Sequence, residues 1–396
     1  MASLRSAFTS VAVAVQSAAD TWTQPSSSAD TLPCGNARLS FNSITAENPE
    51  YLGTVHKPGD FLLGKTAQIT FTLPLRPPGG ASPPVAGAFI PGRFLRAAGF
   101  TENIVAAAIP VAAEALGTGS TTSAAKLGTS AAATAQLYKG LGVLLSDNGS
   151  VYNRQLTAIR DYSAAKLATL FETLGSAPGA NYQIPKQLAY QLSASAPNLN
   201  LAVSIWFEAV RYDLINMVVS SFRFNFPASS RDSTEFPSVE ITLDGDFYAW
   251  ADEAAPSIGA LGGIPVFKDG DFWIANKALG GSSFTADLGI QVGYAPNPNK
   301  QNGNDAAQLI STKRTAALTL NHNTKAAVDF MALADAQGQQ GLWAQYGYAA
   351  GAMVMFNIPN GRFMIPNPDN GGNFVTQSID MVIDDADRAI NLIYPY

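Results

Sequence analysis

Side chains able to do chemistry are sparse in this sequence and do not converge. It holds two histidines, His56 and His322, far apart in the chain, and one cysteine, Cys34. A metal centre needs His, Cys, Asp or Glu at ligand spacing, and neither histidine has such a neighbour; both read as loop histidines. An activated serine would show as Gly-x-Ser-x-Gly, a zinc protease as His-Glu-x-x-His, and a nucleotide site as a glycine-rich loop after a strand. None of these patterns is present. The tetrapeptide Asp-Gly-Asp-Phe occurs twice, at Asp244–Phe247 and Asp269–Phe272. Neither copy continues into the acidic series and closing glutamate of a calcium loop. Asp-Gly also favours hairpin turns, so both copies are expected to be turns. The lone cysteine excludes an internal disulfide and reads as a small packed hydrophobe. The expectation is no enzyme, with no catalytic residue, cofactor site or metal ligand.

The residues that call for a partner are apolar instead. The segment ENPEYLGTVHKPGDFLL lies between two strand-like stretches and carries Tyr51, Leu52, Val55, Phe61 and Leu62. Pro49, Gly53, Pro58 and Gly59 argue against regular structure there. Solvated loops rarely display so many large apolar groups, so these five residues are expected to be covered by a partner surface.

The elements that must position this loop read as strands. In GKTAQITFTLPLRP, Ala67, Ile69, Phe71, Leu73 and Leu75 alternate with polar residues or proline. The same period of two recurs at Leu201, Val203, Ile205 and Phe207, at Val218 to Phe226, and at Val239, Ile241 and Leu243. It returns at Phe284, Ala286, Leu288, Ile290 and Val292, in TAALTL, and from Val375 to Ile383. One-sided alternation indicates antiparallel sheet. Two short helices are expected. One lies in AFIPGRFLRAAGF and ends at Gly99; the other lies in NTKAAVDFMALADAQG, capped by Asn323 or Thr324, with Ala327, Val328, Phe330 and Met331 facing the sheet. Residues 118–189 differ: Gly, Ser, Ala and Pro crowd both borders of a compact stretch, which marks an inserted small β-rich domain within a body formed by 1–117 and 190–396.

Only 14% of the 396 residues are charged, against about a quarter in an ordinary soluble domain. Burial of surface in an assembly is the expected reason. The net charge is −6, and no cationic cluster exceeds Lys313–Arg314, which argues against tight phosphate gripping. No apolar run approaches the ~18 residues that span a membrane as a helix. VAVAV, near the start, is too short for a secretion signal, and the N-terminal arm is expected to be tied down.

In their order along the chain these segments resemble the major tail tube proteins of long-tailed, non-contractile (siphovirus-like) bacteriophages. SAFTSVAVAVQSAADTWTQPSSSADTLPCGNARLSF resembles the family's opening and first strand, and the apolar loop with GKTAQITFTLPLRPPG its long loop and second strand. GRFLRAAGFTENI resembles a helical turn that recurs after that strand. LNLAVSIWFEAVRYDLINMVVSSFRFNF with SVEITLDGDFYA resembles the central meander, and RTAALTLNHNTKAAVDFMALADAQGQQGLWAQYG the closing strand–helix–strand unit. Within the insert, QLTAIRDYSAAKLATLFETL resembles part of a small β-module common in phage structural proteins. That implies a hairpin of Thr157–Tyr162 and Lys166–Glu172 rather than the helix its alanines and leucines also permit. Ser163-Ala164 stand where the module has Asp-Gly, so a turn longer than two residues is expected.

The resemblance implies a mainly β, antiparallel sandwich or barrel tail-tube fold with one or two flanking helices. It implies hexameric rings stacked into a virion tail tube, assembled in the host cytoplasm, with the insert outside. Its partners would be further copies of itself, a tape measure protein in the lumen, tail terminator and tail-tip proteins, and DNA in passage without specific binding. No membrane partner is implied. The alternative expectation is a secreted carbohydrate-binding or adhesin-like β-protein, with aromatic rings as sugar platforms.

Overall fold

The computed structural model describes residues 9–49, 59–146, 156–178, 181–227, 235–258, 263–265, 271–300, 303–322, 324–347, 349–370 and 375–396. The chain is mainly β, 53% strand and 4% helical. Gly35–Ala46, Phe61–Pro74, Ser238–Asp252 and Val210–Pro227 are successive antiparallel neighbours. The last continues through Gly281–Asp287, Thr315–Asn321 and Thr376–Ile383. A second run joins Gln340–Tyr346, Val354–Phe363, Asn391–Pro395, Gln187–Leu192 and Phe100–Val105.

The two runs face each other across one apolar core. Phe224 of the first meets Phe356 of the second at 5.2 Å between ring centroids, and Phe100 at 6.2 Å. Ala67, Ile69, Phe71, Leu73 and Leu75 are all buried, as the alternation predicts. The helix Ile90–Ala97 closes one side, with Phe94 against Phe71 at 5.3 Å, and Gly99 follows it with φ 95°. VAVAV lies in the strand Thr9–Val15, with Val11 and Val13 in the core.

Several local expectations fail for physical reasons. Asp244–Phe247 is no turn; it lies in mid-strand, where a Cβ on Gly245 would fall 2.5 Å from Met217 Sδ and 2.8 Å from Ile215 O. The glycine serves close approach rather than turning. The run from Phe284 to Val292 is not one strand: Gly289, at φ 54°, bends it, and Ile290–Gly293 pairs with Gln308–Thr312 in a separate two-stranded sheet. The second helix is only Phe330–Ala336. Its cap is Asp329, whose carboxylate accepts from Ala332 N at 2.9 Å, and both Met331 and Ala327 are exposed. Asn323 lies outside the described residues. In Leu201–Phe207 both faces are buried rather than one.

A second, six-stranded sheet draws its strands from Ile109–Ala115 to Asn181–Ile184. In it Leu156–Tyr162 and Leu167–Leu170 form a hairpin. Lys166 N donates to Ser163 O at 2.9 Å, Ser163 N donates to Leu167 O at 3.1 Å, and Lys166 takes φ 62°. The loop is thus three residues long and ends in a left-handed residue, a solution that needs no Asp-Gly. Gln187–Leu192, which starts inside the range 118–189 read as the insert and runs past its end, pairs with the large sheet.

Candidate assembly surface

The strand Gly35–Ala46 is paired along one edge only, with Phe61–Pro74, and most of it is exposed. Among the described residues its outer edge has no strand beside it, so its backbone groups there are open to another chain. This strand and its neighbours run past the end of the core. Where they leave it, aromatic residues continue the buried face into solvent. Phe41 packs edge-on against Phe247 at 5.3 Å and lies 5.7 Å from Tyr212. Tyr212 in turn stacks with Trp250, which is 63% exposed.

Bulges explain how these rings reach one face. Asp213 pairs with Ala249 but Leu214 with Phe247, which leaves Tyr248 over. The extra residue resets the alternation, so Trp250 joins Phe247's side while Tyr248 stacks on Trp22 at 4.7 Å. Opposite, Ile44 pairs with Gly64 and Thr45 with Leu62, leaving Leu63 over. Phe61, Leu62 and Leu63 are each more than half exposed.

Beside these residues is an open cleft of about 710 Å³ lined in part by Asp20, Leu62, Leu63, Tyr248 and Lys300. Its floor is a closed polar clasp. Asn216, at φ 54°, donates from Nδ2 to Asp20 Oδ1 at 2.7 Å and Asp246 Oδ2 at 3.2 Å, and accepts from Asp20 N at 2.8 Å. Lys300 Nζ donates to Asp20, which holds that carboxyl below its usual range. These hydrogen bonds across the clasp run among Asp20, Asn216, Asp246 and Lys300 and shape the surface. Burial pushes the Cys34 thiol up to about 12, so it is not a thiolate at neutral pH. Among the described residues no group of three or more His, Cys, Asp and Glu is placed to hold a metal ion.

Of the five expected contact residues, Phe61 and Leu62 stand exposed but belong to the strand Phe61–Pro74, paired with Ala46 and Thr45, rather than to an irregular loop, and Tyr51, Leu52 and Val55 lie outside the described residues. Phe41, Leu63, Tyr248 and Trp250 were missed. For Tyr248 and Trp250 the signal was present: alternation over Ser238–Asp252 continues past the polar residues that should end a strand, but the bulge at Tyr248 hides its phase. The sequence matches no protein-family model, and no curated protein matches it either.

Proposed function

We propose that this chain is a structural subunit that assembles with copies of itself into stacked rings, as the tail tube proteins it resembles do. The observation that carries the reading is the open-edged, projecting sheet with Phe61, Leu62, Leu63 and Trp250 exposed at its end. An unprotected edge and a ring-rich apolar end are liabilities in a monomer and ordinary parts of an interface. The face of the same strands turned from the core is polar. Gln68 Nε2 donates to Asp244 at 2.8 Å, Thr70 and Thr242 are 3.1 Å apart, and Glu240 stands opposite Arg223. It carries no run of cations among the described residues, which suits a conduit that nucleic acid passes without being held.

The test is negative-stain imaging of the purified protein and of Phe61→Asp/Leu62→Asp. Tubes from the parent and none from a double variant of unchanged melting temperature are expected, because charges buried without partners disfavour the ring contact. A monodisperse monomer at high concentration would overturn the proposal. Glycan binding without tubes would favour the carbohydrate-binding reading, for which the exposed faces of Trp250 and Tyr248 are the one supporting observation.

A further inference from the structure

The small sheet sits on the face of the large sheet that points away from the main core. Strand register fixes what that face presents. Trp273, Trp343, Asn357, Asn391, Gln191 and Thr101 are cross-strand neighbours in one continuous row. In the adjoining row are Met355, Ile393 and Ala189. Carboxamides in the middle of a covered sheet are costly unless every one finds partners. Here Asn357, Asn391, Gln191 and, four residues earlier on the same strand, Gln187 are all fully or almost fully buried.

Their hydrogen bonds form a single directed chain. Asn103 Nδ2 donates to Gln191 Oε1 at 3.3 Å, Gln191 Nε2 to Asn391 Oδ1 at 3.2 Å, and Asn391 Nδ2 to Asn357 Oδ1 at 2.8 Å. Asn357 Nδ2 ends it on Gly140 O at 2.8 Å. Gln191 Nε2 also reaches Lys139 O at 2.9 Å, and Gln187 both accepts from Gly142 N and donates to Gly142 O. The receiving residues, Lys139 to Gly142, belong to the turn that leads into the small sheet's strand Gly142–Leu145. Gly140 has φ 84°, and a Cβ there would fall 2.6 Å from Asn391 Cγ. Charged pins lie at the rim: Lys139 Nζ on Asp385 at 2.9 Å, and Arg160 Nη2 on Gln339 O at 2.7 Å. Around the amides, Val105, Ala189, Trp343, Met355 and Ile393 of the large sheet complete the small sheet's apolar core.

We propose that the Lys139–Gly142 turn and the carboxamide row form a lock that makes the small sheet an obligate, rigidly oriented half of a shared core. The lock recognises main-chain groups of a tight turn, so it fixes position as well as contact. Whatever grips the small sheet therefore grips the body, and excision of residues 120–185 uncovers four buried carboxamides and Trp343 and takes from Gln187 and from Asn357 Nδ2 the main-chain partners they bond.

Denaturant unfolding of the intact chain tests this, followed by tryptophan fluorescence and by far-UV circular dichroism. Coincident transitions are expected; a small sheet that melts while the body persists, seen as two separated transitions or as early proteolysis confined to residues 109–184, overturns the proposal. The second arm is a cycle of Gly140→Ala and Asn391→Ala. Each alone is expected to lower the folded-to-unfolded ratio by roughly tenfold or more. Together they should lose less than the product, because removing the amide makes room for the methyl. Strain from the positive φ alone would be indifferent to Asn391, so strictly multiplicative losses would also overturn it.

Discussion

The projecting end of the large sheet and its covered face make opposite use of polar and apolar groups. At the projecting end, strand edges are open and rings stand in solvent, as at Trp250 and Phe61. Under the small sheet, even carboxamides are buried and nearly every one is bonded. Both surfaces are sheet faces of the same fold. The difference teaches that exposure here is a property of place: one face has its partner within the chain, and the other meets none among the described residues. The cleanest way to break the comparison is to remove large side chains from each surface and see whether stability or assembly responds.

The largest effect is expected at Trp343, which is 1% exposed in the small sheet's core. Trp343→Ala should cost ~3–5 kcal/mol in denaturant unfolding, the usual range for emptying a buried tryptophan site. A loss below ~1 kcal/mol would mean that the two sheets merely touch, against the two-sheet core that the packing describes.

That seam was the least legible part of the sequence, and the sandwich the most. Alternation marked Ile69, Phe71 and Leu73, and Ile379 and Met381, because one side of those strands is core and the other is polar. It was misleading for strands covered on both sides, such as Gln187–Leu192, where every residue is buried and no period of two remains. Asn357, Asn391 and Gln191 carry no sign of burial in the sequence, since a lone amide gives no sign of the row it joins. The row exists only through the pairing of strands distant in sequence. At the candidate site, Phe61 and Leu62 stood out as apolar residues in a segment read as loop, although they open the strand Phe61–Pro74. Phe41, Leu63, Tyr248 and Trp250 were not, because bulges shift which face each residue takes.

A smaller effect is expected where the hairpin of the small sheet meets the large one. Burial, with Asp271 nearby as a second carboxylate, pushes the Glu172 carboxyl up to about 7 from an ordinary value of 4.5. The folded state thus holds this proton more tightly than the unfolded chain does. Its contribution is fully present below pH ~4.5 and is lost as pH rises through about 7. Glu172→Gln keeps a neutral group at all pH values. It should raise stability at pH 8 by up to ~3 kcal/mol and flatten the dependence between pH 4.5 and 7. An unchanged slope of stability against pH in the variant would show that another group carries it.

The smallest effect on folding is expected at Trp250, and it is the most informative for the comparison. The indole stacks on Tyr212 at 6.3 Å and is otherwise largely in water. Truncating an exposed ring removes little apolar burial, so Trp250→Ser should change unfolding free energy by no more than ~0.5 kcal/mol. On the proposed assembly reading the same ring is covered in the tube, and its loss should raise the concentration at which tubes first scatter light. A folding loss of several kcal/mol would place Trp250 in the subunit's own core and erase the contrast with Trp343. Unchanged stability with unchanged assembly would leave the contrast in exposure standing, but would remove this ring from the contact and shift the weight to Phe61, Leu62 and the open edge of Gly35–Ala46.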